Sequence, residues 1–301
     1  MKNQQKAYTF ALITVLLWST MSTAFKLSLS YLSFDQLLFR AVWFALISVG
    51  IWLMISGKSK ILFQISRKDF IRSAILGFLN PFAYYLVLFK AYELLQAQEA
   101  GVLNYTWPVV LVILSAIFLH QKIGWTSFGA ILLSFFGLII ISTKGDLAGL
   151  KFTNPLGVVL AVGSSFIWAS YWIINLKDHR EEVSKIFLNL VFGAFYILIY
   201  MLLGPGIHFN STEAWIGAAY IGTLEMGITF VLWLLALQYS HSTAKVSNLI
   251  FLSPFIALFF IRIFVGEKIL LSTISGLFFI ISGIALQQWA SHHKSKLKSK
   301  S

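Results

Sequence analysis

Ten stretches of about twenty predominantly apolar residues follow one another with only short loops between them, which leaves the chain very few folds. They are Ala7–Phe25, Phe34–Ser56, Phe70–Ala91, Ala97–Leu119, Trp125–Thr143, Pro155–Leu176, Val183–Leu203, Ala214–Leu237, Thr243–Val265 and Leu271–Trp289. Runs such as Val109–Leu119 and Ile131–Ile141 are continuously apolar, not alternating, which excludes an outer-membrane barrel and predicts an all-α integral membrane bundle of ten transmembrane helices. Only 11% of the residues are charged, too few to wet the surface of a soluble domain, and the longest loops, around Gly57–Asp69 and Lys144–Asn154, leave no room for one. Soluble enzymes are thereby excluded, and any function must reside within the bundle. The absence of cysteine rules out disulfides, thiolate metal sites and a cysteine nucleophile.

The formal net charge of +12 reflects topology and not nucleic-acid binding, because the basic residues sit between spans and in a short tail. With the N-terminus in the cytoplasm, fifteen Lys and Arg fall on the cytoplasmic side and five on the other, while Arg40, Lys245 and Arg262 lie within spans. That bias predicts a multi-pass protein of the inner (plasma) membrane with both termini cytoplasmic. Lys2 and Lys6, followed by an apolar run and the small residues Ser22–Ala24, also fit a cleavable signal peptide. The internal repeat argues for retention of this segment.

At an offset of 146, Pro108 falls on Pro254, Ile117-Phe118 on Ile263-Phe264, Lys122-Ile123 on Lys268-Ile269 and Gly137 on Gly283. At a slightly larger offset Trp18 meets Trp168, matching the first span to the sixth. The expected units are therefore residues 1–145 and 146–301, five helices each. Since five is odd, the halves cross the membrane in opposite directions, and such inverted repeats characterise secondary transporters with a midplane site between the halves.

These residues resemble the drug/metabolite transporter superfamily in its ten-helix, EamA-type form. The likeness rests on Leu17-Trp18-Ser19-Thr20, Phe39-Arg40, the helices around Pro108 and Pro254, and Gly266-Glu267-Lys268. Asn104-Tyr105-Thr106-Trp107-Pro108 with Gln121-Lys122, and Trp18-Ser19-Thr20-Met21, are most similar to the aromatic amino-acid exporter (YddG-type) branch. Gln121 departs from the acidic residue many members carry, which fits that branch. The resemblance implies a central cavity, alternating access, and efflux of amino acids or related metabolites.

Trp43, Trp52, Trp125, Trp215 and Trp289 read as interfacial anchors, whereas Trp18, Trp107, Trp168 and Trp233 fall deeper, where an indole N–H needs a partner that a cavity supplies. Tyr84, Tyr171 and Ser19 are further candidates for that cavity. Asn104 and Asn248 precede the two prolines, and each stands either as a helix-to-helix bond or as a substrate contact beside a carbonyl freed by the proline. Glu225 is the one acid near the middle of a span. It reads either as a neutral carboxyl bonding a neighbouring helix or as a group that binds an ammonium or a coupling proton. Arg40 and Arg262 are expected to snorkel, and Gly129/Gly137 and Gly276/Gly283 to mark close-packed helix faces. The six histidines lie in loops or at helix ends, so no metal site or cofactor is implied.

A membrane enzyme would need its nucleophile, acid pair or metal ligands at one depth, and neither H-E-x-x-H nor G-x-S-x-G occurs. The expected function is a secondary transporter exporting aromatic or bulky neutral amino acids or related metabolites. Export of small organic cations and a non-alternating channel remain as alternatives, and the oligomeric state stays open.

Overall fold

The computed structural model describes residues 3–59, 65–118, 125–147, 154–176, 178, 180–208, 212–240, 246 and 248–298. All ten segments are helical in their described parts. The first is Gln4–Ser28, the second Phe34–Ile55, the third Arg67–Leu94, the fourth Ala97–Phe118 and the fifth Trp125–Ser142. The sixth is Pro155–Leu176, the seventh Glu182–Leu203 and the eighth Ala214–Tyr239. The ninth runs from Asn248 to Val265, and the tenth is Leu271–Lys298. Eight segments have the length and hydropathy of a full span, and Phe128–Ser142 and Leu249–Val265 are shorter apolar helices. Residues 119, 121 to 123, 243 to 245 and 247, which the expected spans and motifs include, lie outside the described residues. Ile47, Leu132, Val159, Phe195 and Phe259 project outward with more than half of their surface or close to it exposed, as a hydrocarbon surround allows and water does not.

Four segments are interrupted, and the interruptions pair between the halves. In the third span, Pro81 forces Asn80 out of the helix (φ −146°, ψ 118°), because the residue before a proline is driven to extended backbone. A π-helical stretch, Phe78–Ala83, absorbs the break. The eighth span carries a longer one at Ile221–Ile228. In the fourth span the helix stops at Asn104 and restarts at Trp107-Pro108, and in the ninth a 3₁₀ turn, Asn248–Leu252, precedes Ser253-Pro254. Pro254 deprives the Ile250 carbonyl of its helical donor, and the Tyr105 hydroxyl donates to that oxygen at 2.6 Å. An interruption in one half is thus closed by a residue at the interruption of the other.

The fifth and tenth spans are held by close backbone approach. A Cβ on Gly276 would lie 2.6 Å from the Gly137 carbonyl oxygen, and one on Gly283 2.6 Å from that of Ala130. Gly129, expected on the same face, has nothing within 4 Å of a Cβ and is not part of the contact.

The bundle ends are tied differently. At the end carrying the N-terminus, Asp178 is fully buried between Arg180 (Nε to Oδ1 2.9 Å) and Arg72 (3.5 Å), and Arg180 also donates to Ser73 at 2.8 Å. Lys58 pairs with Glu181 at 2.7 Å nearby. At the opposite end the ties are to backbone. Glu267 accepts from the N–H groups of Ala97 (2.8 Å) and Gln98 (3.2 Å), capping the fourth helix, and Lys26 donates to the carbonyls of Tyr92 and Leu95. Gly266, at φ +77°, makes the left-handed turn that aims Glu267 there.

Arg40 corrects its expected role. It is 1% exposed, donates to the His208 carbonyl at 2.6 Å and lies over the Trp215 ring, because the loop after the seventh span folds across the start of the second. It clamps a loop and does not snorkel, whereas Arg262 is exposed as expected.

Candidate functional site

The interruptions of the fourth, eighth and ninth spans border a cavity of about 320 Å³ inside the bundle. Its wall runs from Tyr92 and Ala97, where the third and fourth spans meet, past Asn104, Trp107 and Trp168, to Trp172 and Ile250 towards the other end. Broken helices bring backbone and polar side chains to membrane depth only where they line such a space.

Aromatic side chains make a large share of this wall and of the cluster behind it. Trp168 stacks on Tyr84 (centroids 4.7 Å apart, planes 30°) and on Tyr171 (5.8 Å, 23°), and meets Phe230 and Trp172 edge-on. Trp18 lies against Trp233 at 5.5 Å and Phe230 at 6.5 Å, so the first, sixth and eighth spans share one aromatic cluster. Trp107 faces the cavity half-buried, and among the described residues no ring contact joins it to Trp168.

Polar groups are few. The Asn104 amide donates to Ser164 at 2.8 Å and accepts from the Tyr84 hydroxyl at 3.3 Å, so it bridges the third, fourth and sixth spans while bordering the cavity. Both readings of Asn104 therefore have a geometric basis. Glu225 lies in the π-helical stretch of the eighth span, 8% exposed. Tyr85 donates to its Oε1 at 3.3 Å, while Oε2 is buried with no hydrogen-bond partner, as is the Trp172 indole N–H. Glu225 is the one Asp, Glu, Lys, Arg or His among the described residues of the wall.

Of the ten residues singled out in the sequence, Trp18, Tyr84, Asn104, Trp107, Trp168, Glu225 and Trp233 lie in this wall. Ser19 does not. It is fully buried, donates back to the Val15 carbonyl at 2.6 Å and bonds Ser253 at 3.3 Å, joining the first and ninth spans. Tyr171, 2% exposed, supports Trp168 from behind. The backbone of Asn248 opens the 3₁₀ turn of the ninth span, but its side chain lies outside the described residues. Tyr85, Ser164 and Trp172 were not singled out. Tyr85 and Trp172 each follow a chosen aromatic by one or a few positions, so the aromatic pairs Tyr84-Tyr85 and Tyr171-Trp172 were the available signal.

Comparison with known proteins matches this architecture. The pattern of the EamA-like transporter family covers residues 5–143 and again 155–287. The uncharacterized transporter YxxF of Bacillus subtilis is 26% identical over 227 residues, 73% of this chain and 70% of that protein. The aromatic amino acid exporter YddG of Salmonella typhimurium is 25% identical over 263 residues, 79% of this chain and 82% of that one. A solved crystal structure superposes with a TM-score of 0.64 over 97% of this chain and 99% of that chain at 20% identity, a likeness of fold. These relatives are transporters and not enzymes. With its family pattern repeated over both halves of a ten-helix membrane bundle, the chain belongs to the EamA-like transporter family of the drug/metabolite transporter superfamily.

Proposed function

We propose that this transporter exports bulky apolar or aromatic amino acids, or closely related metabolites, from the cytoplasm by alternating access through the central cavity. The observation that carries this reading is the wall itself: aromatic rings contributed by both halves, at the depth where the interrupted helices meet, with little fixed charge. Flat faces suit an aromatic or branched apolar group, and the scarcity of cations disfavours sugar phosphates and dicarboxylates. The relative named as an aromatic amino acid exporter supports the substrate class, and the excess of Lys and Arg at one end supports cytoplasmic termini in the inner membrane. Proton coupling through Glu225 belongs to the same reading as an expectation.

Expression in a sensitive host is the test. Cells carrying the protein should resist toxic phenylalanine or tryptophan analogues, with lowered intracellular analogue. Unchanged sensitivity in cells shown to contain folded protein overturns the aromatic substrate class.

A further inference from the structure

We infer that the cavity recognises its ligand by an ammonium group held at the Glu225 carboxylate, and that a proton and this ammonium exclude each other there, so that one substrate cation leaves for each proton admitted. This deepens the central-cavity reading and rests on it.

The argument begins with what Glu225 lacks. Its Oε2 is buried without a partner, and its Oε1 receives only the Tyr85 hydroxyl. The charged side chains on the helices packed around it are committed elsewhere. On the first span Lys26 is held by two carbonyls and Lys6 lies over the Tyr239 ring. On the second, Asp35 accepts from Ser33 and Arg40 donates to His208. On the third, Lys90 and Glu93 pair with one another. The titratable groups facing the carboxyl are thus Tyr85, the neighbouring Tyr84 and, further along the cavity, Tyr92, whose hydroxyls are bonded to Glu225, Asn104 and Ser22 in turn. A bare carboxylate in such surroundings is costly, so either a proton or a cation from outside the protein must accompany it.

An organic ammonium satisfies this demand in a way a metal cation does not. Glu225 shares the cavity wall with Trp18 and Trp107, partly exposed indoles that no stacked ring covers among the described residues, and such rings attract an ammonium and pack on an apolar or aromatic body. The same wall offers no cationic side chain, among the described residues, to receive a carboxylate. The amine end is therefore the recognised end, and a carboxylate on the ligand is tolerated without being required. The exchange balances: the carboxyl releases its proton as the ammonium enters, the pair stays neutral, and the proton returns when the ammonium departs.

The test uses purified full-length protein in detergent and three probes with one ring: 2-phenylethylamine, phenylalanine and 3-phenylpropionate. Calorimetry in buffers of differing ionisation enthalpy gives affinity and proton release together. The inference expects the amine to bind at least as tightly as the amino acid and the acid not to bind. It also expects amine affinity to fall from neutral to mildly acidic pH, with protons released on binding. Glu225→Gln should weaken the amine by at least about tenfold and abolish both pH effects. Glu225→Asp should retain the proton release, and Glu99→Gln, which removes a different buried carboxyl outside the cavity wall, should change neither. Amine binding without proton release at any pH in the native protein overturns the inference, as does equal binding of the acid or loss of the pH dependence in Glu99→Gln. Binding of phenylalanine that Trp107→Ala removes and Glu225→Gln spares would sink the ionic anchor alone. Binding of all probes unaffected by Trp107→Ala would instead sink the cavity reading.

Discussion

Trp107→Ala is expected to lower transport by more than about tenfold while leaving the melting temperature nearly unchanged, because a buried aromatic contact to a ligand is commonly worth about 2 kcal/mol or more. Trp107 borders the cavity at the edge of the core, and no ring among the described residues packs on it, so its truncation enlarges an existing cavity and does not break an aromatic cluster. Trp168 behaves differently. It is 8% exposed and touches Tyr84, Tyr171, Trp172 and Phe230, so truncation leaves a void in the aromatic cluster. Trp168→Ala should cost about 3 kcal/mol of stability together with transport. Uptake assays and thermal melting on the two variants separate these effects. Wild-type transport by a folded Trp107→Ala protein would remove that side chain from the site.

A large stability effect is expected at the other charged centre. Burial by itself would raise the Asp178 carboxyl, yet the hydrogen bonds and charge of Arg180, aided by Lys185, hold it below the usual carboxylate range. Asp178→Asn leaves Arg180 and Arg72 without their buried anion, at a cost of about 3 kcal/mol. The sign with pH follows. A carboxyl depressed in the folded state contributes stability above its unfolded pKa, and the contribution disappears as pH falls through the folded value. Melting in detergent should therefore show a gap between wild type and Asp178→Asn that is full at neutral pH and closes in acid. A gap that widens in acid would mean that Asp178 is not held as a carboxylate.

The spans were legible because a bilayer imposes one length and one composition on every crossing. Two of the four interruptions were read from Pro108 and Pro254, which cannot donate to a helix, and Pro81 carries the same signal for a third. The π-helical stretch around Glu225 contains no proline, so nothing in the local sequence marks it beyond Gly222 and Gly227, which let it pack against the second span. Rotation about a helix axis is harder to read than depth. Ser19 neighbours Trp18 in sequence, but the indole faces the cavity and the hydroxyl faces the ninth span. Arg40 was read from its nearness to a helix end, whereas a loop 168 residues later in the chain closes over it. Contacts of that kind arise from tertiary packing, which periodicity does not encode.

The central claim is a carrier that exposes one cavity alternately to the two sides of the membrane. Counterflow tests it most directly. Proteoliposomes loaded with unlabelled ligand, phenylethylamine or phenylalanine according to which binds better, are diluted into trace labelled ligand. The account predicts saturable entry and transient accumulation of label above its external concentration, absent with Trp107→Ala. Non-saturating entry that only equilibrates, with no overshoot, would contradict it and leave a channel.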